Sequence, residues 1–198
     1  MPADLLAALT LYAFVSSITP GPNNLMLLAS GVNYGFRRTL PHMLGIGSGF
    51  TVMTALVGFG LAGVFIAWPP ARQALTVASV GYLLWLAWKI ANAAPPEANP
   101  AARGKPLTFL QAAAFQWVNP KAWSMALTAA TLYAPDADWP SVLRVAAVFG
   151  AVNLPCVSVW AAVGSALGNW LHDPRRLRAF NIAMAVLLLA SLWPVLAP

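Results

Sequence analysis

Long stretches of this chain carry no Asp, Glu, Lys or Arg: Leu5–Phe36, Thr39–Ala71, Gln73–Trp88, Val145–His172 and Ala179–Pro198. A helix of roughly 20 residues crosses the hydrocarbon core of a bilayer, so five spans follow directly. A sixth runs from about Leu107 to Tyr133, interrupted only by Lys121 in its middle. A membrane β-barrel would show short segments of about ten residues with alternating polarity. The runs here are long and continuous, and helices are the spanning element that remains when every backbone group must find an internal partner. The pattern predicts an all-α membrane protein of six transmembrane helices.

The most polar stretch is a linker over 92–106, rich in proline and asparagine (Pro95, Pro96, Asn99, Pro100) with Glu97 and Gly104. It divides a single transmembrane domain into half repeats of about 1–91 and 107–198, with three helices each. An odd number of spans per half inserts the halves in opposite orientation, which is the geometry of a 3+3 inverted repeat. Each half also carries a polar, proline-containing break in its first helix. These are Thr19-Pro20-Gly21-Pro22-Asn23-Asn24 and Asn119-Pro120-Lys121. Pro20 stands 15 residues after Leu5 and Pro120 stands 13 after Leu107, which puts both breaks roughly 20 Å into their spans. Helices 1 and 4 are therefore expected to be broken near the midplane, and matching breaks in two halves point to a transport site.

Composition agrees: 60% of the residues are hydrophobic and 8% charged, against about 25% charged in soluble domains. The net charge of +6 invites a nucleic-acid reading, but the charges are sorted by side. Arg37, Arg38, Lys89, Arg103, Lys105, Arg175, Arg176 and Arg178 fall in the loops after helices 1, 3 and 5, whereas Arg72 and Arg144 fall on the other side. The positive-inside rule then makes the 92–106 linker cytoplasmic and puts both termini outside. No nucleic-acid partner is expected. The start, Met1-Pro2-Ala3-Asp4, has no basic region and leads into an apolar run longer than a signal-peptide core, so it is expected to stay in the mature protein. One cysteine, Cys156, excludes an internal disulfide and any Cys-pair metal or redox site.

The breaks carry the candidate chemistry. Pro20 and Pro22 each remove a backbone donor and strand a carbonyl one turn earlier. Half-helix N–H groups can hold a carboxylate and freed carbonyls an ammonium, so a zwitterionic amino acid matches both. The plain alternative is a kink repaired by the Thr19, Asn23 and Asn24 side chains. Lys121 in mid-span costs about 2.5–3.5 kcal/mol on insertion scales. It is expected to face a cavity, paired with backbone carbonyls or with a substrate carboxylate. The five acids, Asp4, Glu97, Asp136, Asp138 and Asp173, all fall at span ends or in loops. With no intramembrane carboxylate, a neutral substrate is favoured over a dibasic one or a divalent metal.

Other features carry less. Gly58-Phe59-Gly60-Leu61-Ala62-Gly63 fits a dinucleotide pattern but lies in an apolar span with no preceding strand. The glycines of helices 2 and 5 read as close helix packing, while Asn153 and Pro155 are candidates for the cavity wall. His42 and His172 read as headgroup contacts or helix caps. Trp68, Trp139, Trp170 and Trp193 form an interfacial belt. Trp117 and Trp123 flank the second break, as lipid-facing packing before any cation–π role.

Taken together, Thr19-Pro20-Gly21-Pro22-Asn23, Gly35-Phe36-Arg37-Arg38 with Gly45 and Gly49, Gly81-Tyr82-Leu83-Leu84-Trp85 through Lys89, and Phe115-Gln116-Trp117-Val118-Asn119-Pro120-Lys121 resemble the LysE/RhtB family of bacterial amino-acid exporters. The likeness runs in order over almost the whole chain. It departs where Thr39 or Leu40 and Ala87 stand in place of family glycines. The resemblance implies a multi-pass carrier of the bacterial inner membrane that exports amino acids or analogues by alternating access, driven by the proton gradient. Small neutral amino acids are the expected substrate, no cofactor is called for, and a homodimer is compatible. The expected substrate-binding residues are Thr19, Pro20, Gly21, Pro22, Asn23, Asn24, Gln116, Asn119, Pro120, Lys121 and Asn153. The competing classes are a membrane scaffold, for which Lys121 and paired breaks are a needless cost, and an intramembrane enzyme, for which no nucleophile–base pair or facing carboxylates are visible.

Overall fold

The computed structural model describes residues 1–93, 104–168, 170–171 and 173–193. Most of the expected linker, with Glu97 and Arg103, lies outside the described residues, as do His172 and the last five positions of the expected sixth span.

The described residues are helical throughout, without strands. The first charge-free run is two helices, α1 (Ala3–Ile18) and α2 (Pro22–Tyr34), which meet at 52°. Pro22 occupies the first position of α2, where the missing N–H is no loss and φ is already helical. The second interrupted run begins at α6 (Phe109–Phe115), continues as a 3-10 turn at Gln116–Val118, breaks at Asn119 and resumes as α7 (Pro120–Tyr133). Thr108 starts α6 with a reciprocal cap to Gln111. Both breaks therefore occur at the expected prolines, and each proline begins the second half-helix.

Four further helices complete the core: α3 (Phe36–Gly58), α5 (Pro70–Ala91), α8 (Trp139–Gly168) and α9 (Pro174–Ala190), with the short α4 (Val64–Ala67) between α3 and α5. The run Thr39–Ala71 does not continue as one helix. It stops at Gly58 because Gly60 turns into the left-handed region, with φ of 96°, and a 3-10 turn at Leu61–Gly63 follows. In contrast α8 begins at Trp139, ahead of the expected Val145, and carries Arg144 within its helical hydrogen bonding. Charge-free runs mark the apolar stretch, not the ends of the backbone ladder. Helices α3, α5 and α8 are each long and apolar enough to cross a membrane, and α1 with α2 qualifies as a bent pair.

Helix α8 is the spine, packed by α1, α2 and α3, while α5 lies on α9 and α3 also contacts α6 and α7. Glycine sets two of these approaches. A Cβ at Gly31 would strike the Ala161 carbonyl, and one at Gly164 would strike the Leu28 carbonyl, so α2 and α8 touch backbone to backbone. A Cβ at Gly49 would come within 2.6 Å of Ala113 Cα, fixing α3 on α6. One apolar core gathers Leu27, Ile46, Leu83, Phe115 and Leu188; another gathers Leu9, Phe50, Met53 and Phe149. Outward-facing positions remain apolar, with Leu110 75% and Val77 72% exposed. Trp68, Trp139, Trp170 and Trp193 are all exposed, as an interfacial belt requires.

The cations are sorted in space as they are in sequence. Lys89 and Lys105 line one cavity, Arg175 and Arg178 line another beside Asn92, and Arg38 stacks on Tyr34. Arg72 lies at the opposite end of α5 from Lys89, seventeen residues away, or about 25 Å of helix.

Candidate functional site between the two helix breaks

The end of α1 leaves a row of carbonyls that no following N–H can reach, because positions 20 and 22 are proline. Side chains from three other elements take them up. Asn24 Nδ2 donates to the Ser17 and Thr19 carbonyls, both at 2.8 Å. Trp160 Nε1 donates to the Ile18 carbonyl at 3.0 Å. Lys121 Nζ donates to the Thr19 carbonyl at 2.8 Å, to Thr19 Oγ1 at 2.9 Å and to the Pro20 carbonyl at 3.1 Å. All three ammonium hydrogens of Lys121 are thus directed at the opposite break. The C-terminal end of a helix carries partial negative charge, so the lysine stands where a cation is favoured.

This closure needs glycine at position 21, because a Cβ there would stand 2.5 Å from Lys121 Cδ. The second break is tied by its own cap: Asn119 Oδ1 accepts from the Lys121 backbone N–H at 3.1 Å. The breaks meet a second time where Asn23 and Gln116 exchange reciprocal side-chain bonds of 2.8 and 3.1 Å. Gln116 also donates to the Ala112 carbonyl.

A narrow cavity lies between the breaks, lined by Ser16, Ser17, Gly21, Asn23, Asn24, Phe50, Asn119, Lys121, Ala122, Met125, Asn153 and Val157. Of the expected residues, Gly21, Asn23, Asn24, Asn119, Lys121 and Asn153 face it. Thr19 and Pro20 join it through the lysine, Gln116 stands behind Asn23, and Pro22 and Pro120 act by starting α2 and α7. Asn153 sits at the cavity wall, 4% exposed. Its Nδ2 donates to Ser17 Oγ at 3.1 Å, but its Oδ1 has no donor within the described residues. Its lining so includes an unmatched acceptor, a cation and the first turn of α2, with no carboxylate among the described residues.

Several expectations need correction. Asn23 does not repair the kink; it pairs with Gln116 across the breaks, while Trp160 and Lys121 do much of the repair. Pro155 and Ala151, whose carbonyl the proline strands, lie on the exposed face of α8, so Pro155 frees no carbonyl toward the cavity. Trp117 and Trp123 are half-buried and pack on each other, with Trp123 Nε1 bonded to the Trp117 carbonyl. His42 neither caps a helix nor meets headgroups. It lies on the inner face of α3, 2% exposed, because a charge-free run does not tell which side of its first turns faces inward. Ser17 and Trp160 were not anticipated. The available signal for Trp160 was a tryptophan in mid-span, far from either interface.

The family model for LysE type translocators matches residues 14–191. The chain belongs to that family. As a LysE type translocator it is a membrane transporter of the amino-acid efflux class, not an enzyme. Among curated relatives it is 32% identical to a cysteine/O-acetylserine efflux protein of Escherichia coli over 194 residues, covering 96% of each chain. It is 32% identical to that of Shigella sonnei over 193 residues, covering 95% of each. The efflux protein of the same name in Shigella flexneri is 32% identical over 189 residues, covering 93% of each. No solved structure matches the chain.

Proposed function

We propose that this translocator exports small neutral amino acids with short polar side chains, of the kind named for its relatives, through the cavity between the two breaks. The observation that carries this is the pairing of opposite valences in one small cavity. The positive charge of Lys121 and the α2 N-terminus suit a carboxylate, while the bare Asn153 Oδ1 suits an ammonium. The acid-free lining disfavours dibasic cargo.

The six spans of this reading are α1 with α2, α3, α5, α6 with α7, α8 and α9, arranged as a 3+3 inverted repeat in one domain. The meeting of the two breaks supports it, because equivalent broken helices converge at the site in such repeats. The end bearing Lys89, Lys105, Arg175 and Arg178 faces the cytoplasm, both termini face outward, and the proton gradient drives export. Access alternates between the two sides.

The test is mass-spectrometric profiling of the medium of cells overproducing the protein, against cells producing an equally inserted Lys121→Ala form. Enrichment of cysteine, O-acetylserine or a related amino acid, abolished in the variant, supports the assignment. Medium indistinguishable from that of empty cells rejects it. Sidedness is tested separately by single cysteines. Cys156 is buried, so Arg72→Cys should be labelled in intact cells and Lys105→Cys only after permeabilisation; the reverse pattern inverts the topology.

A further inference from the structure

Among the described residues, buried side-chain atoms without a hydrogen-bond partner occur at only two residues, Asn153 and His42. Asn153 belongs to the site between the breaks. His42 lines a different cavity, which also presents Ser30, Asn33 and Tyr34 of α2, Lys89 of α5 and Lys105 ahead of α6. The two cavities lie along one helix. Asn23 at the start of α2 faces the first, and Ser30 and Asn33 face the second. The spacings 23, 26, 30 and 33 alternate three and four residues, so Asn23, Met26, Ser30 and Asn33 share a face of α2. From Asn23 to Asn33 the helix rises about 15 Å, toward the end where the basic residues collect.

The hydroxyl and amide side chains of Ser30 and Asn33 are already committed elsewhere. Ser30 Oγ and Thr39 Oγ1 share a bond of 2.9 Å, and Thr39 Oγ1 also donates to the Gly35 carbonyl. Asn33 and Asn181 exchange bonds of 2.8 and 3.2 Å, and Asn33 also donates to the Ala29 carbonyl. Neither Nδ1 nor Nε2 of His42 is taken up by this network. An imidazole carries at least one N–H donor, and burying that donor without an acceptor is costly. Among the described residues the lining adds two lysines and contains no Asp or Glu. A buried donor in a cavity lined by two lysines suits an acceptor-only partner, and an ionised carboxylate is one.

We propose that this second cavity is a binding site for the carboxylate of the cargo at the basic end of the protein, occupied before the cargo reaches the site between the breaks. It rests on the exporter reading given above. His42 donates the orienting hydrogen bond, Lys89 and Lys105 supply the charge, and the polar face of α2 leads from this site to Asn23. Asn23 lines the cavity between the breaks and Met26, three residues on, lines the second, so the two are neighbouring but separate stations.

The test uses the full chain in phosphatidylcholine nanodiscs with 15N-labelled histidine, the His42 ring signals being assigned by their loss in His42→Gln. O-acetyl-L-serine is titrated, with inorganic phosphate as a second probe. The proposal expects saturable shifts of the His42 nitrogens with O-acetylserine, present equally in Lys121→Ala, and weaker shifts with phosphate. In proteoliposomes His42→Gln should raise the half-saturating concentration for export by about tenfold while leaving the maximal rate within about twofold. Absence of shifts in protein that exports O-acetylserine overturns the second site and leaves the exporter reading standing. Shifts lost in Lys121→Ala also overturn it, because His42 would then report on the central site, and equal shifts with phosphate overturn it in favour of a general anion site. Failure of export with the shifts intact rejects the exporter reading instead, and leaves the cavity a carboxylate site.

Discussion

Replacing Asn153 by leucine separates stability from transport, because the two halves of its amide do different things. Nδ2 donates to Ser17 Oγ at 3.1 Å, a bond with a net value of about 0.5–1.5 kcal/mol. Oδ1 is buried without a donor, which costs about 1–3 kcal/mol. Deleting both leaves Ser17 free to turn its hydroxyl to the carbonyl four residues back. The empty protein should therefore be unchanged or more stable by about 1 kcal/mol. Transport should move the other way. An amide oxygen receiving the cargo's ammonium contributes about 1.5–3 kcal/mol, and at 1.4 kcal/mol per decade its loss raises the half-saturating concentration about 10- to 140-fold. The assays are thermal unfolding of the detergent-solubilised variant and initial export rates from cells loaded with graded cargo. A variant that loses more than about 2 kcal/mol of stability, or one that keeps the wild-type half-saturation, refutes the assignment of Oδ1 to the cargo.

Gly164→Leu forces a side chain onto the Leu28 carbonyl and should destabilise by about 1–3 kcal/mol or more, read as a lower unfolding temperature and yield. Gln116→Leu removes the partner of Asn23 on both of its amide atoms; it should cost about 1–3 kcal/mol, and an unchanged unfolding curve would show that Asn23 finds other partners. Trp160→Phe leaves the Ile18 carbonyl without its donor, a loss of about 1 kcal/mol, detectable by chemical unfolding. The Ser141 side-chain and backbone hydrogen bonds hold the Asp138 carboxyl below its ordinary value of 3.8. Its contribution is therefore complete above that value and is lost as pH falls through the lowered folded one. Asp138→Asn should flatten the acid limb of the stability–pH curve, and an unaltered limb would remove Asp138 from that account.

Helix breaks were legible because proline has one meaning in a ladder of N–H donors: the breaks at Pro20–Pro22 and Asn119–Pro120 follow from local chemistry. Lys121 was legible for a related reason, since a cation in an apolar run must meet acceptors and the stranded carbonyls of the other break are the nearest supply. The partners of Asn23 and the role of Trp160 were not, because they depend on how α6 and α8 turn about their axes. His42 shows the same limit. In a chain apolar on every face, the hydrophobic pattern no longer marks which side of a helix points inward, and the buried side is set by glycine contacts such as Gly31 with Ala161 and Gly49 with Ala113. Helix ends were also misplaced, as at Gly60 and Trp139, where glycine conformation and a tolerated Arg144 overrule the charge boundary.

The backbone contact between α2 and α8 bears on how such a carrier can move. Helix α2 comes from the first half of the chain and α8 from the second, yet carbonyls and glycines on each abut the other, and α3 lies on the same spine. The sequence halves are therefore interlocked, like two hands with fingers laced. Swinging one half against the other as rigid blocks would first have to prise apart this backbone-to-backbone seam. A fault line that spares this seam has to run within each half, leaving α2, α3 and α8 as a fixed frame against which less firmly fastened helices slide.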